Sequence, residues 1–149
     1  MTLQIVSRAV FGIGVLSAAL AALVNWSTNQ SSLNSEFVAA TTVVSDENFA
    51  DMVRANEKPI VMDFFGDYCF VCEQLEPKYL ALAQEFSEDA VFARVDIQDA
   101  PELVELFEVR QVPTLVVVHQ GNLLFHGSGL GAVPLLQKAL RAINGKDAS

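Results

Sequence analysis

Between Ile60 and Cys72 the chain reads Ile-Val-Met-Asp-Phe-Phe-Gly-Asp-Tyr-Cys-Phe-Val-Cys, a nearly continuous apolar run that stops at a glycine. A run without polar alternation suits a strand covered on both faces, the kind found where helices pack on each side of a sheet. Beyond it Leu75, Tyr79, Leu82, Ala83 and Phe86 recur at helical intervals, so the two cysteines open a helix. A buried strand that turns straight into an amphipathic helix points to a layered α/β architecture. Asp63, in the middle of the run, is out of place in an apolar strand.

The flanking sequence carries the alternation on. Thr41–Val44 is a short β-prone run. Ser45 is placed to cap a helix with Asp46 and Glu47 in its first turn and Phe49, Met52 and Val53 on its apolar face, ended by Pro59. Residues 91–97 alternate as a strand, 101–107 read as a short helix, and 114–119 form a strongly β-branched strand. Gln120-Gly121-Asn122 turns the chain into a hairpin partner, Leu123-Leu124-Phe125. Val133 to Ile143 closes the chain as a helix whose apolar face is Leu135, Leu136, Ala139, Leu140 and Ile143. The predicted order is β-α-β-α-β-α-β-β-α, a central sheet made mixed by the final hairpin, with helices on both faces.

A chain of 149 residues, 52% hydrophobic, builds one domain with a real core and has little left for a second. Up to residue 40 the charges are Arg8 and Glu36, so the net charge of −9 belongs to residues 41–149. That acidity, with no cluster of Lys or Arg to override it, argues against nucleic acid as a partner.

Ala9 to Val24 is apolar apart from Ser17, with Arg8 before it and Asn25-Trp26 after it. As a helix these residues rise ~24 Å, short of a hydrocarbon core of ~30 Å, and Leu3, Ile5, Val6 and Trp26 extend the span. The expectation is an N-terminal apolar helix that holds the protein to a membrane through residues 3–26, or a signal peptide cleaved near Ala19-Leu20-Ala21. No Lys or Arg follows Arg8 until Arg54, which by the positive-inside rule puts the C-terminal domain on the extracytoplasmic side, the periplasm in a bacterium. The expected organisation is an anchor or signal segment at 1–26, a small, polar linker at 27–40 and a domain at 41–149.

Cys69 and Cys72 are the two cysteines of the chain, so no disulfide framework spans the fold. Spaced i and i+3 in the first turn of a helix, they share a face and lie within the Cβ separation that a disulfide requires. A helix N-terminus favours the thiolate, and only the thiolate attacks disulfides. Cys69 is therefore the expected nucleophile, and Cys72 resolves the mixed disulfide. A zinc site needs four ligands, and the remaining candidates, His119 and His126, fall around a hairpin far along the chain. No cofactor is expected beyond the redox-active pair; two buried, purely structural cysteines are the alternative.

Residues 61–72, Pro77 five positions on, and Val112-Pro113-Thr114 ahead of a β-branched strand together resemble the thioredoxin family over residues 41–145. The resemblance implies a thioredoxin fold and thiol–disulfide exchange, with protein thiols and disulfides as substrates. It implies that Pro113 is a cis-proline beside the disulfide, where the backbone flanked by Val112 and Thr114 pairs with an extended substrate, while Tyr68, Phe70 and Val71 face that substrate. It also implies that Asp63 is a buried carboxylate beneath Cys72, with a raised pKa and a general-base role. Arg94 falls where the family often has a lysine, and an Arg94–Asp63 pair would oppose the rise.

Two departures bear on direction: Tyr68 stands where the family has tryptophan, and Phe70-Val71 where it has Gly-Pro. Phe70-Val71 supplies no cation, and Asp67 and Glu73 flank the pair with negative charge. A weakly stabilised thiolate goes with a weakly oxidising disulfide, so the expected direction is reduction. The chain has no flavin or nicotinamide motif, and a reductant outside the cytoplasm then implies a membrane electron donor. The alternatives are an oxidase or isomerase of the same fold, and a non-catalytic adaptor that binds extended peptides.

Overall fold

Ile60–Phe65 is the middle strand, β2, of a five-stranded sheet ordered β1-β3-β2-β4-β5. The other strands are β1 (Thr42–Val44), β3 (Val91–Asp96), β4 (Thr114–His119) and β5 (Asn122–Ser128). The helices are α1 (Phe49–Ala55), α2 (Phe70–Glu85), α3 (Pro101–Leu106) and α4 (Ala132–Ile143). The structure is a computed structural model that describes residues 20–22 and 40–145. β3 runs parallel to β1 and β2, whereas β4 is antiparallel to β2 and β5, which makes the sheet mixed.

The two-residue period of β2 divides its side chains between two half-cores. Val61 joins Leu75 and Tyr79 of α2, Leu115 and Val117 of β4, and Leu136 and Leu140 of α4. Ile60, Met62 and Phe64 face the other way, onto Val95, Val116, Leu103 and Phe107, with Phe49, Met52 and Val53 of α1 packed alongside. Each fully buried side chain of this size contributes about 1.5–3 kcal/mol, so both layers are needed to offset the entropy of ordering the chain. The buried Tyr79 hydroxyl donates to the Ala93 carbonyl at 2.7 Å and lies 3.0 Å from that of Val61, which links α2 to two strands.

Several expectations change in detail. Ser45 does not cap α1: the helix starts at Phe49, and Asn48 Oδ1 accepts the Ser45 N–H instead. Asp46 serves a helix 56 residues away, accepting the backbone N–H groups of Glu102 at 3.0 Å and Leu103 at 2.9 Å at the start of α3. Leu135 is 61% exposed, because the buried stripe of α4 runs through Ala132, Leu136 and Leu140 and leaves residue 135 about 100° to one side.

The expectation of a membrane-held protein with an extracytoplasmic domain is corrected. Among the described residues no helix is long and apolar enough to cross a membrane. The longest, α2, has 16 residues and carries Glu73, Glu76, Lys78 and Glu85, against the ~20 apolar residues that a span needs. The apolar helix expected in residues 3–26 lies outside the described residues apart from 20–22, which are helical, and the linker at 27–40 lies outside them apart from Ala40.

Candidate active site

β2 ends at Phe65 and α2 begins at Phe70, so the chain turns from sheet to helix within residues 66–69. Gly66 permits the turn, since a Cβ there would come within 3.1 Å of Ile97 Cδ1 and 3.8 Å of Val112 Cγ2. Tyr68 follows with φ 55°, in the left-handed region, and its ring is fully exposed. Asp67 is held by Gln98, whose Nε2 donates to Oδ2 at 2.9 Å.

Cys69 is the N-cap of α2, and its carbonyl accepts the N–H groups of Cys72 at 3.0 Å and Glu73 at 3.2 Å. The Cys72 N–H also points at Cys69 Sγ, 3.1 Å away. The two cysteines are joined in a disulfide with their Cα atoms 5.2 Å apart. Cys69 is half-buried and Cys72 is 4% exposed, so a reagent from solvent meets the Cys69 sulfur first. The helix N-terminus that donates to this sulfur in the disulfide is in place to stabilise a thiolate on the same atom after reduction. Tyr68, Phe70 and Val71 are exposed around it and form an apolar rim.

The Val112–Pro113 peptide is cis. Phe64 pairs with Thr114, so Pro113 lies at the end of the sheet where β2 turns into α2. The Pro113 carbonyl accepts the Gly129 N–H at 2.8 Å, and Gly129, with φ 71°, makes that approach from the loop before α4. Thr114 is buried, its hydroxyl donating to the Gln111 carbonyl at 2.7 Å and lying 2.7 Å from Ser128 Oγ. Its side chain therefore braces the loop from inside, whereas Val112 is half-exposed.

Asp63 is 0% exposed, and among the described residues neither carboxyl oxygen has a hydrogen-bond partner. Burial raises its pKa from 3.8 to about 7; Arg94 opposes the rise and Glu76 adds to it. Arg94 Nε stands 3.6 Å from Oδ2, an ion pair longer than an ordinary hydrogen bond, and through it Arg94 works against the rise. The guanidinium lies 3.9 Å from the centre of the Phe65 ring and reaches Glu76 Oε1 at 3.2 Å through its outer nitrogen. Glu76 and Gln98 did not stand out in the sequence; the only signal for Glu76 was its position four residues after Cys72, on the same helix face.

The fold and the site define a class: an α/β protein with a dithiol at the N-terminus of the helix that follows its central strand. The sequence model of the thioredoxin family matches residues 40–141, and the chain belongs to that family. It is 32% identical over 84 residues to a thioredoxin of Mycobacterium bovis, covering 56% of this chain and 72% of that protein. It is 30% identical over 96 residues to thioredoxin 1 of Chlorobaculum tepidum, covering 62% and 93%. The crystal structure of thioredoxin from Trypanosoma brucei brucei superposes with a TM-score of 0.64 at 28% identity, over 70% of this chain and 91% of that one. Thioredoxin f from spinach chloroplast gives 0.62 at 31%, over 68% and 91%. The family and the Cys69–Cys72 pair make this chain a thiol–disulfide oxidoreductase acting on protein thiols and disulfides.

Proposed function

We propose that the exchange runs in the reducing direction, with Cys69 as nucleophile, Cys72 as resolving thiol and Asp63 as the group that takes the Cys72 proton. The Cys69 thiolate attacks a substrate disulfide, an S–S bond forms to Cys69, and the other substrate sulfur leaves as a thiolate that picks up a proton. The Cys72 thiol then passes its proton to Asp63 and attacks Cys69, releasing the second substrate thiol. Two electrons and two protons move from the dithiol to the substrate, and Cys69–Cys72 is left oxidised. The observation that carries this reading is the half-exposed Cys69 sulfur, with a backbone N–H at 3.1 Å, joined to a buried Cys72.

Substrate contact is assigned to Tyr68, Phe70 and Val71 on one side and to the backbone at Val112 and Pro113 on the other. Thr114, being buried, contributes by holding that loop. The direction is supported by Asp67 and Glu73, which flank the pair with negative charge and disfavour a strongly stabilised thiolate. The reduced pair must be regenerated by an electron donor outside this chain. A membrane location for that donor rested on the corrected anchor and is dropped. The test is the reduction potential of Cys69–Cys72, equilibrated against glutathione and dithiothreitol buffers. A value at or below about −230 mV supports the reductant, and one of roughly −120 to −180 mV indicates an oxidase or isomerase.

A further inference from the structure

Arg94 is poised between two carboxylates at unequal distances. Its outer nitrogen is 3.2 Å from Glu76 Oε1, whereas its Nε is 3.6 Å from Asp63 Oδ2. The guanidinium carbon lies over the Phe65 ring, 3.9 Å from its centre, and Glu76 pairs with the outer nitrogen. A guanidinium with five donors pairs bidentately with a carboxylate when nothing else holds it, and Asp63 offers two oxygens without hydrogen-bond partners. The closer of the two contacts is the one to the carboxylate on α2, one turn past Cys72.

We infer that Glu76 is a positioning residue for the exchange reaction, holding the Arg94 guanidinium off Asp63 so that the buried carboxyl remains a usable proton acceptor for Cys72. The inference rests on the reading of Asp63 as that acceptor. A carboxylate locked to arginine is ionised but poorly basic; one left without donors in a buried site takes a proton near neutrality. Among the described residues, the titratable and charged groups that act on Asp63 are Arg94 from β3 and Glu76 and Tyr79 from α2, while β4 pairs Leu115 with it and α4 adds Leu136 to the same layer, neither of which carries a charge. Glu76 thus acts in two ways that add: its own negative charge disfavours ionisation of Asp63, and its grip on Arg94 withholds the cation that would favour it. Glu76 is half-exposed, so replacing it leaves the core intact.

The experiment is a 13C NMR titration of the Asp63 carboxyl in the oxidised full-length chain, alone and with Glu76→Gln or Glu76→Asp, each also made on an Arg94→Met background. Glu76→Gln is expected to lower the Asp63 midpoint by about one pH unit or more, and Glu76→Asp to keep most of the wild-type value. With Arg94 replaced, Glu76→Gln should move the midpoint by less than half as much. The pH profile of Cys72 attack on a Cys69 mixed disulfide should follow the Asp63 midpoint. An unmoved or raised midpoint in Glu76→Gln overturns the inference, as does an equal shift on both backgrounds, which would leave Glu76 as a nearby charge and nothing more. Asp63→Asn tests the underlying reading separately: if that variant resolves the mixed disulfide at the wild-type rate and pH dependence, the carboxyl is not the acceptor, whatever Glu76 does to its midpoint.

Discussion

Replacing Asp63 with asparagine should destabilise the oxidised protein slightly at pH 4 and stabilise it strongly at pH 8. The folded-state pKa is raised from 3.8 to about 7, so the native protein binds a proton that the unfolded chain has already lost. Stability from this group is present below about pH 4 and is lost as pH rises through about 7, the window set by those two values. A rise of about three pH units at about 1.36 kcal/mol each gives a penalty near 4 kcal/mol once Asp63 is charged. Asparagine never charges, but its amide sits in the same pocket without partners, which costs about 1 kcal/mol at any pH. The net expectation is a loss of about 1 kcal/mol at pH 4 and a gain of about 3 kcal/mol at pH 8. At roughly 4–8 °C per kcal/mol for a domain of about 100 residues, the pH 8 gain is a rise of roughly 12–24 °C in Tm. Guanidinium or thermal unfolding of both proteins between pH 4 and 9 checks it. A difference that stays constant across that range, or a variant that is less stable at pH 8, refutes the reasoning that burial dominates over Arg94 at this site.

Other expectations are simpler. Cys72→Ser should accumulate disulfide-linked partners on Cys69 that gels resolve without reductant, and Cys69→Ser should accumulate none while losing exchange activity by about 10³-fold or more. Asp46→Ala should cost about 1–2 kcal/mol in chemical denaturation, because two N–H groups at the start of α3 lose their acceptor. Leu135→Ser should fall within about 0.5 kcal/mol of wild type, whereas Leu136→Ala, one residue on, should cost about 2–5 kcal/mol by the same measurement. Tyr68→Ser should raise KM for a disulfide-bonded protein substrate while leaving the unfolding midpoint in place, since the ring is fully exposed.

What could be read from the sequence was what local spacing encodes. The apolar run at 60–65 marked the central strand, the helical recurrence after Cys72 marked α2, and the β-branched run at 114–119 marked β4 with its observed ends. The site was legible for the same reason, since Cys69, Cys72 and their helix are neighbours in the chain. The rest depends on pairings between distant segments. Nothing near Asp46 says that its carboxylate belongs to a helix beginning at Pro101. Nor does the sequence around Arg94 say that it is shared by Glu76 and Asp63 across two other elements. Leu135 was misplaced because a helical stripe is wide enough to admit a residue at its edge, and only the partner surface decides which edge is covered. The N-terminal apolar segment was read from its hydropathy, its length and its flanking Arg8 and Trp26.

The division of β2 into two faces has a consequence for how such a chain can change. Asp63 lies two residues after Val61 on the face of β2 that α2 covers and pairs in register with Arg94, while α1 and α3 pack on the opposite side against an apolar cluster. One layer answers to the chemistry as well as to volume; the buried cluster of the other answers to volume. Isosteric exchanges among Met62, Val95 and Val116 should therefore pass with little trace in the redox behaviour, and the α1–α3 side is where sequence drift, loop insertion or a fused segment would be tolerated first.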